Sequence, residues 1–144
     1  MTPEQINQDK SAQPPAEWTR REMKGIPATL GALWTQRDAK GNWQYAVQLN
    51  EDHANAQGFI HGGVLVTFLD HALSLIVWEA ANRAMCSTVH LDTHYLNALR
   101  PPAFITLQAD ILQEGKSLIF AKGRVYHEEN LIVEATGIWR VMRS

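Results

Sequence analysis

Between residues 29 and 37, and again between 43 and 49, apolar side chains alternate with polar ones, and the Asp38, Gly41 and Asn42 that separate the two runs predict a hairpin. Residues 51–60 carry no period and read as a loop. Over about residues 61–82 the period changes. Val64, Leu65, Val66, Phe68, Leu69, Ala72, Leu73, Leu75, Ile76 and Val77 cover most of the circumference of a helix, and Thr67, Asp70, His71 and Ser74 recur at three and four residues as one narrow polar stripe. Alternation returns in residues 88–96, breaks at Pro101 and Pro102, and continues in residues 104–112, where Ile105, Leu107, Ala109 and Ile111 share a face. Turns at 113–116 and 128–130 delimit two more strands, 117–126 and 131–142, the last with Val133, Ala135, Gly137, Trp139 and Val141 on one side.

A helix that is apolar around most of its girth has to be covered, and the flanking strands are the material available. The order of a hairpin, one long helix and then strands that meander implies an α+β fold in which an antiparallel sheet curls around the helix. Such a sheet keeps two open edges, and edges of this length are commonly paired with a second copy, so a homodimer is expected. Residues 1–25 mix Gln, Pro, Glu, Lys and Arg around Trp18 and read as an N-terminal arm, loose or forming a short helix held down by one aromatic; residues 26–144 form the domain.

Composition narrows the classes further. A chain of 144 residues with 45% hydrophobic content builds one core and leaves no room for a second domain. A net charge of -2 with scattered Lys and Arg gives no footprint for nucleic acid. Cys86 is the only cysteine, which excludes an intrachain disulfide and a Cys-rich zinc site and suits a reducing, cytoplasmic setting. Residues 1–10 are polar and lack a signal-type apolar run, so export is not expected. The oily segment 64–78 is broken by Asp70 and His71 and is shorter than the ~20 residues that cross a bilayer, so no membrane partner is expected.

The chemistry concentrates on the helix. Removing an isolated carboxylate from water costs several kcal/mol or raises its pKa, so Asp70 belongs in a cleft with partners. The stripe could be a solvated helix side, but it has no Lys, Arg or Glu; the first such residue after Asp70 is Glu79, at the helix end. His61, Gly62 and Gly63 precede the first turn, whose unpaired backbone N–H groups can hold an oxyanion. His90, Asp92 and His94 alternate along one strand face in the manner of metal ligands, but an exposed polar face is the simpler account, and no metal is expected. Trp34, Trp43, Trp78 and Trp139 read as core and interface mass, with Trp78 close enough to the stripe to line a pocket.

The spacing Asn-x-x-Gly-x-x-His-Gly-Gly, followed by an Asp in the second turn of the helix, is met by Asn55, Gly58, His61, Gly62, Gly63 and Asp70. On these residues, and on the strand pattern over about residues 26–141, the chain resembles the hotdog-fold acyl-CoA thioesterases, and within them the phenylacetic acid degradation group. The resemblance implies a hotdog fold and hydrolysis of acyl-CoA thioesters without a cofactor. It implies Asp70 as nucleophile or as the general base that activates water, and the Gly62 backbone N–H as the group that polarises the thioester carbonyl. His61 would line the carbonyl or sulfur pocket or position the backbone. Asn55 would serve the neighbouring subunit's site, giving two shared sites per homodimer, with a dimer of dimers as a further step. Thr88, at the start of the strand after the helix, would hydrogen-bond the water; by alternation it shares parity with His90, Asp92 and His94. Substrate contacts are expected from Gly63, Phe68 and Trp78 at the acyl end, and from Arg100 and Lys116, with Arg124, at the CoA phosphates. Two alternatives stand beside this reading: a hotdog hydratase or dehydratase acting on hydroxyacyl thioesters through Asp70 and His71, and a non-catalytic acyl-CoA binding module.

Overall fold

The structure, a computed structural model, describes residues 17–142. In chain order the elements are β1 (Thr19–Arg21), a 3-10 turn (Ile26–Leu30), β2 (Leu33–Arg37), β3 (Trp43–Leu49), a second 3-10 turn (Glu51–His53), α1 (Gly62–Ala80), β4 (Met85–Tyr95), β5 (Ala103–Glu114), β6 (Leu118–His127) and β7 (Asn130–Met142). All strand pairs are antiparallel, and the sheet has seven strands in the order β1-β2-β3-β5-β6-β7-β4. This is the expected hotdog arrangement, a sheet curled around one helix.

Local chemistry sets the boundaries. The β2–β3 turn closes because Asp38 Oδ1 accepts from the N–H groups of Lys40 and Asn42, both at 2.9 Å. β2 starts later than alternation suggests: Thr29 Oγ1 donates back to the Ile26 carbonyl at 2.7 Å and Pro27 fixes its own φ, so residues 26–30 turn instead of extending. Of the N-terminal arm, residues 1–16 lie outside the described residues. Residues 19–21 are an edge strand on β2 rather than a helix, with Trp18 edge-on against Phe104 at 5.4 Å. The helix ends where Asn82 and Arg83 take positive φ and the Arg83 N–H reaches back to the Trp78 carbonyl at 2.8 Å.

After the helix the chain runs along the far edge as β4, paired only with β7, and then crosses to lie beside β3 as β5. Hydrophobic alternation says nothing about this excursion, because it reports which face a side chain takes and not which strand is next door. The core lies between helix and sheet: Leu65, Phe68, Leu69, Ala72, Leu73 and Val77 of α1 meet Ile105, Ile119, Val125 and Trp139, all of them buried. By length and composition alone α1 would span a bilayer, but these side chains are taken up by the sheet.

Candidate active site

Asp70 sits midway along α1, and the Thr88 hydroxyl on β4 donates to its Oδ1 at 2.7 Å. That contact depends on an irregularity in β4. Thr88 pairs with Trp139 and His90 with the adjacent Ile138, so Val89 is an extra residue and the strand changes faces across it. Thr88 therefore points inward beside Trp139 and does not share a face with His90, Asp92 and His94, as uninterrupted alternation would require. Oδ2 of Asp70 has no protein partner among the described residues. The carboxylate borders a cavity of about 430 Å³ with Ile26, Pro27, Val66, Thr67, His71, Ser74 and Leu91.

His71 and Ser74 also line a second, mostly apolar cavity of about 490 Å³, completed by Leu75, Trp78, Arg83, Met85 and Cys86. The two cavities form one trench along the helix. Burial pushes the His71 imidazole below its ordinary pKa of 6.5, outweighing the opposite pull of the Asp70 carboxylate, and so favours the neutral ring. Adjacent helix positions diverge by about 100°, yet Asp70 and His71 both reach the first cavity.

The start of α1 is arranged around one open donor. The Val64 and Leu65 N–H groups bond to the His61 carbonyl at 3.0 and 3.3 Å, and the Gly63 N–H is taken by His61 Nδ1 at 2.8 Å. Among the described residues the Gly62 N–H has no acceptor. His61 is thus the helix N-cap, and Gly63 has its own N–H committed. Tyr95, which sequence reasoning missed, donates its hydroxyl to the Gly62 carbonyl at 3.0 Å, and its ring lies 3.3 Å from where a Cβ on Gly62 would be. No local signal could have found it, since 33 residues separate the pair.

Asn55 stands near Gly62 but away from Asp70. It lines a third cavity, about 370 Å³, with Phe59, Gly62, Leu65 and Tyr95, and its Oδ1 accepts from the Gln57 and Phe59 N–H groups at 3.0 and 3.1 Å. Arg100, on the β4–β5 connection, lies over the Phe59 ring at 4.2 Å and beside Gly58, both residues of the Asn55 loop. Trp78 lines the second cavity. Phe68 is not a wall residue: it is fully buried in the core, because a helix apolar almost all round does not reveal which of its sides faces a cavity. Lys116 sits in the β5–β6 turn, at the end of the sheet where β4 begins and away from Arg100. Arg124 is paired with Asp110 at 3.1 Å.

His53 is buried. Its Nδ1 accepts from the Asn50 N–H at 3.0 Å, its Nε2 donates to the Thr29 carbonyl at 2.8 Å, and its own carbonyl accepts from the His61 N–H at 2.9 Å. This ring ties the Asn55 loop to the 26–30 turn that borders the Asp70 cavity. Among the described residues no three His, Cys, Asp or Glu side chains converge as a metal site requires, and His94 faces Glu134, which is ion-paired with Lys122 at 2.5 Å.

Known proteins share this fold. The family model described as thioesterase superfamily matches residues 57–134. Human acyl-coenzyme A thioesterase 13 is 26% identical over 99 residues, 69% of this chain and 71% of that protein. Among solved structures, the Bacillus halodurans BH2602 protein with CoA superposes with a TM-score of 0.71 at 24% identity, covering 86% of this chain and 83% of that one. A mutant of the phenylacetic acid degradation protein PaaI from Thermus thermophilus gives a TM-score of 0.70 at 23% identity, covering 79% of this chain and 96% of that one. At those identities the structural likeness is one of fold.

Proposed function

The chain belongs to the thioesterase superfamily, and from that membership we propose that it hydrolyses acyl-CoA thioesters to a free acid and coenzyme A. The observation that carries this reading is the Asp70 carboxylate, anchored by Thr88 through one oxygen and with the other open, at the head of a largely apolar trench. The open oxygen either attacks the thioester carbon or takes a proton from the water that does. A thiolate leaves with little protonation, so a single carboxylate suffices without a dedicated acid.

The oxyanion donor comes from a second copy of the chain. Gly62 and Asp70 are eight residues apart on one helix, a rise of about 12 Å. A carbonyl carbon within bonding reach of Asp70 therefore has its oxygen far beyond hydrogen-bond range of the same chain's Gly62 N–H. In a homodimer the Gly62 and Asn55 of one protomer meet the Asp70 of its partner, and Arg100, which packs on Phe59 of the Asn55 loop, is placed for a CoA phosphate. The exposed apolar side chains of Met85, Val89 and Tyr95 along the open β4 edge supply a surface for that pairing. One oxyanion donor is typically worth about 10²- to 10³-fold in rate.

The test is free-thiol release from a panel of acyl-CoAs by the wild-type protein and by Asp70→Asn. The variant keeps the shape of the side chain and removes its charge, so it folds and loses turnover by at least about 10²-fold. Folded wild-type protein that releases thiol from no member of the panel overturns the reading. A second reading, hydration of unsaturated acyl thioesters, is favoured by one observation, that Asp70 and His71 border the same cavity. It is checked in the same cuvette by following the conjugated enoyl absorbance.

A further inference from the structure

Ser74 lines both cavities of the trench, and its hydroxyl is tied to the core. The Trp139 indole, fully buried, donates its N–H to Ser74 Oγ at 2.9 Å. With its oxygen accepting from the indole, the Ser74 hydroxyl presents its proton. Thr67, one turn before Asp70, disposes of its own proton by donating to the Gly63 carbonyl at 2.8 Å. Ser74 makes no such bond and has no acceptor among the described residues. A donor left unmatched beside Leu75, Trp78 and Met85 is costly to desolvate, and an acyl group entering the trench either accepts from it or strips its water for nothing.

We propose that Ser74 is the specificity-determining residue of the acyl pocket, donating a hydrogen bond to an oxygen on the acyl chain, so that the preferred substrates are uncharged acyl groups bearing one hydroxyl or oxo oxygen. This rests on the thioesterase reading of the same site. Ser74 lies four residues past Asp70, a separation of about 5–6 Å between Cβ atoms, which places the accepting oxygen about two or three carbons beyond the thioester carbon. Burial disfavours a charged ring on His71, between the two, and Arg83 at the far wall is already paired with Glu79, so a second carboxylate on the acyl group would find no uncommitted counter-ion among the described residues. At the far end Arg83 sits over the Trp78 ring at 4.9 Å while pairing with Glu79 at 3.3 Å, which bounds the trench.

The experiment compares hexanoyl-CoA with 3-hydroxyhexanoyl-CoA and 4-hydroxyhexanoyl-CoA, which differ by one oxygen. Dissociation constants are measured by calorimetry on Asp70→Asn protein, where no turnover is needed, and kcat/KM on the wild type. One of the hydroxylated substrates is expected to bind about tenfold more tightly than hexanoyl-CoA, the worth of one hydrogen bond. Adding Ser74→Ala should bring the ratio of the two affinities to about one, and Ser74→Thr should restore the preference. Because Ser74→Ala also strands the Trp139 N–H, the Thr variant separates a lost contact from a disturbed fold. Equal affinities in the Ser74 protein, or a preference that survives Ser74→Ala, overturn the proposal. Failure of the hydrolase reading looks different: a preference in binding without thiol release by the wild type.

Discussion

At the scale of single residues, His71 makes the pH behaviour of the site predictable. Its pKa is pushed below 6.5 by burial, so the folded protein favours the neutral ring, whereas the unfolded chain protonates at its ordinary value. Below pH 6.5 the unfolded state therefore binds more protons than the folded one, and stability falls with pH from there down to the depressed folded pKa. Urea midpoints measured from about pH 8 to about pH 5 should show a loss below about 6.5 that is smaller in His71→Gln; an identical slope in the two proteins refutes this. The sequence disclosed the residues whose significance lies in short spacing. Asn55, His61, Gly62 and Asp70 are all fixed by one loop and one helix, so their order along the chain is their order in space. Thr88 was legible as a candidate but not in its orientation, because nothing in the residue type of Val89 announces a bulge. Phe68 was placed on the wrong side of the surface by an ambiguous helix face, and the buried His53 gave no signal because its partners, Asn50 and Thr29, are in a loop and a turn.

Among the elements, β7 carries a demand that connects packing to the pocket. A Cβ on Gly137 would lie 2.5 Å from the Trp139 ring and 3.0 Å from the His90 carbonyl, closer than real contacts allow. The glycine thus lets the indole fold back over its own strand, and that pose aims the N–H at Ser74. Gly137→Ala should cost about 1–3 kcal/mol, as overpacking of a filled core does, read as a lower midpoint in a denaturant titration. It should also raise KM for oxygenated acyl-CoAs more than for plain ones. A variant with unchanged midpoint would mean that Trp139 has room elsewhere. Strand and helix types were readable from period alone, since alternation and the helical repeat are local properties. The position of β4 beside β7 was not, and neither were the turn at residues 26–30 and the strand at 19–21, because those depend on hydrogen bonds to distant segments.

For the whole molecule, the geometry of a single chain argues that it is incomplete. Asn55 and the open Gly62 N–H share one cavity, Asp70 occupies another, and about 12 Å of helix separates donor from carboxylate. A second copy resolves this if the partner's helix start is brought to the Asp70 trench, and two-fold symmetry then makes two such composite sites. Complementation tests this without a structure. Asp70→Asn and Asn55→Ala proteins, each with low activity alone, are mixed in equal amounts, unfolded and refolded together. Random pairing makes half of the dimers mixed. In each mixed dimer one site receives both substitutions and the other receives neither, so activity should recover to about a quarter of the wild-type value. If each site were built from one chain only, every site in the mixture would carry one substitution and activity would stay at the average of the two parents. Recovery that disappears when refolding is omitted would also show that the dimer does not exchange subunits on the time scale of the assay, as expected of a pairing that extends the sheet across β4.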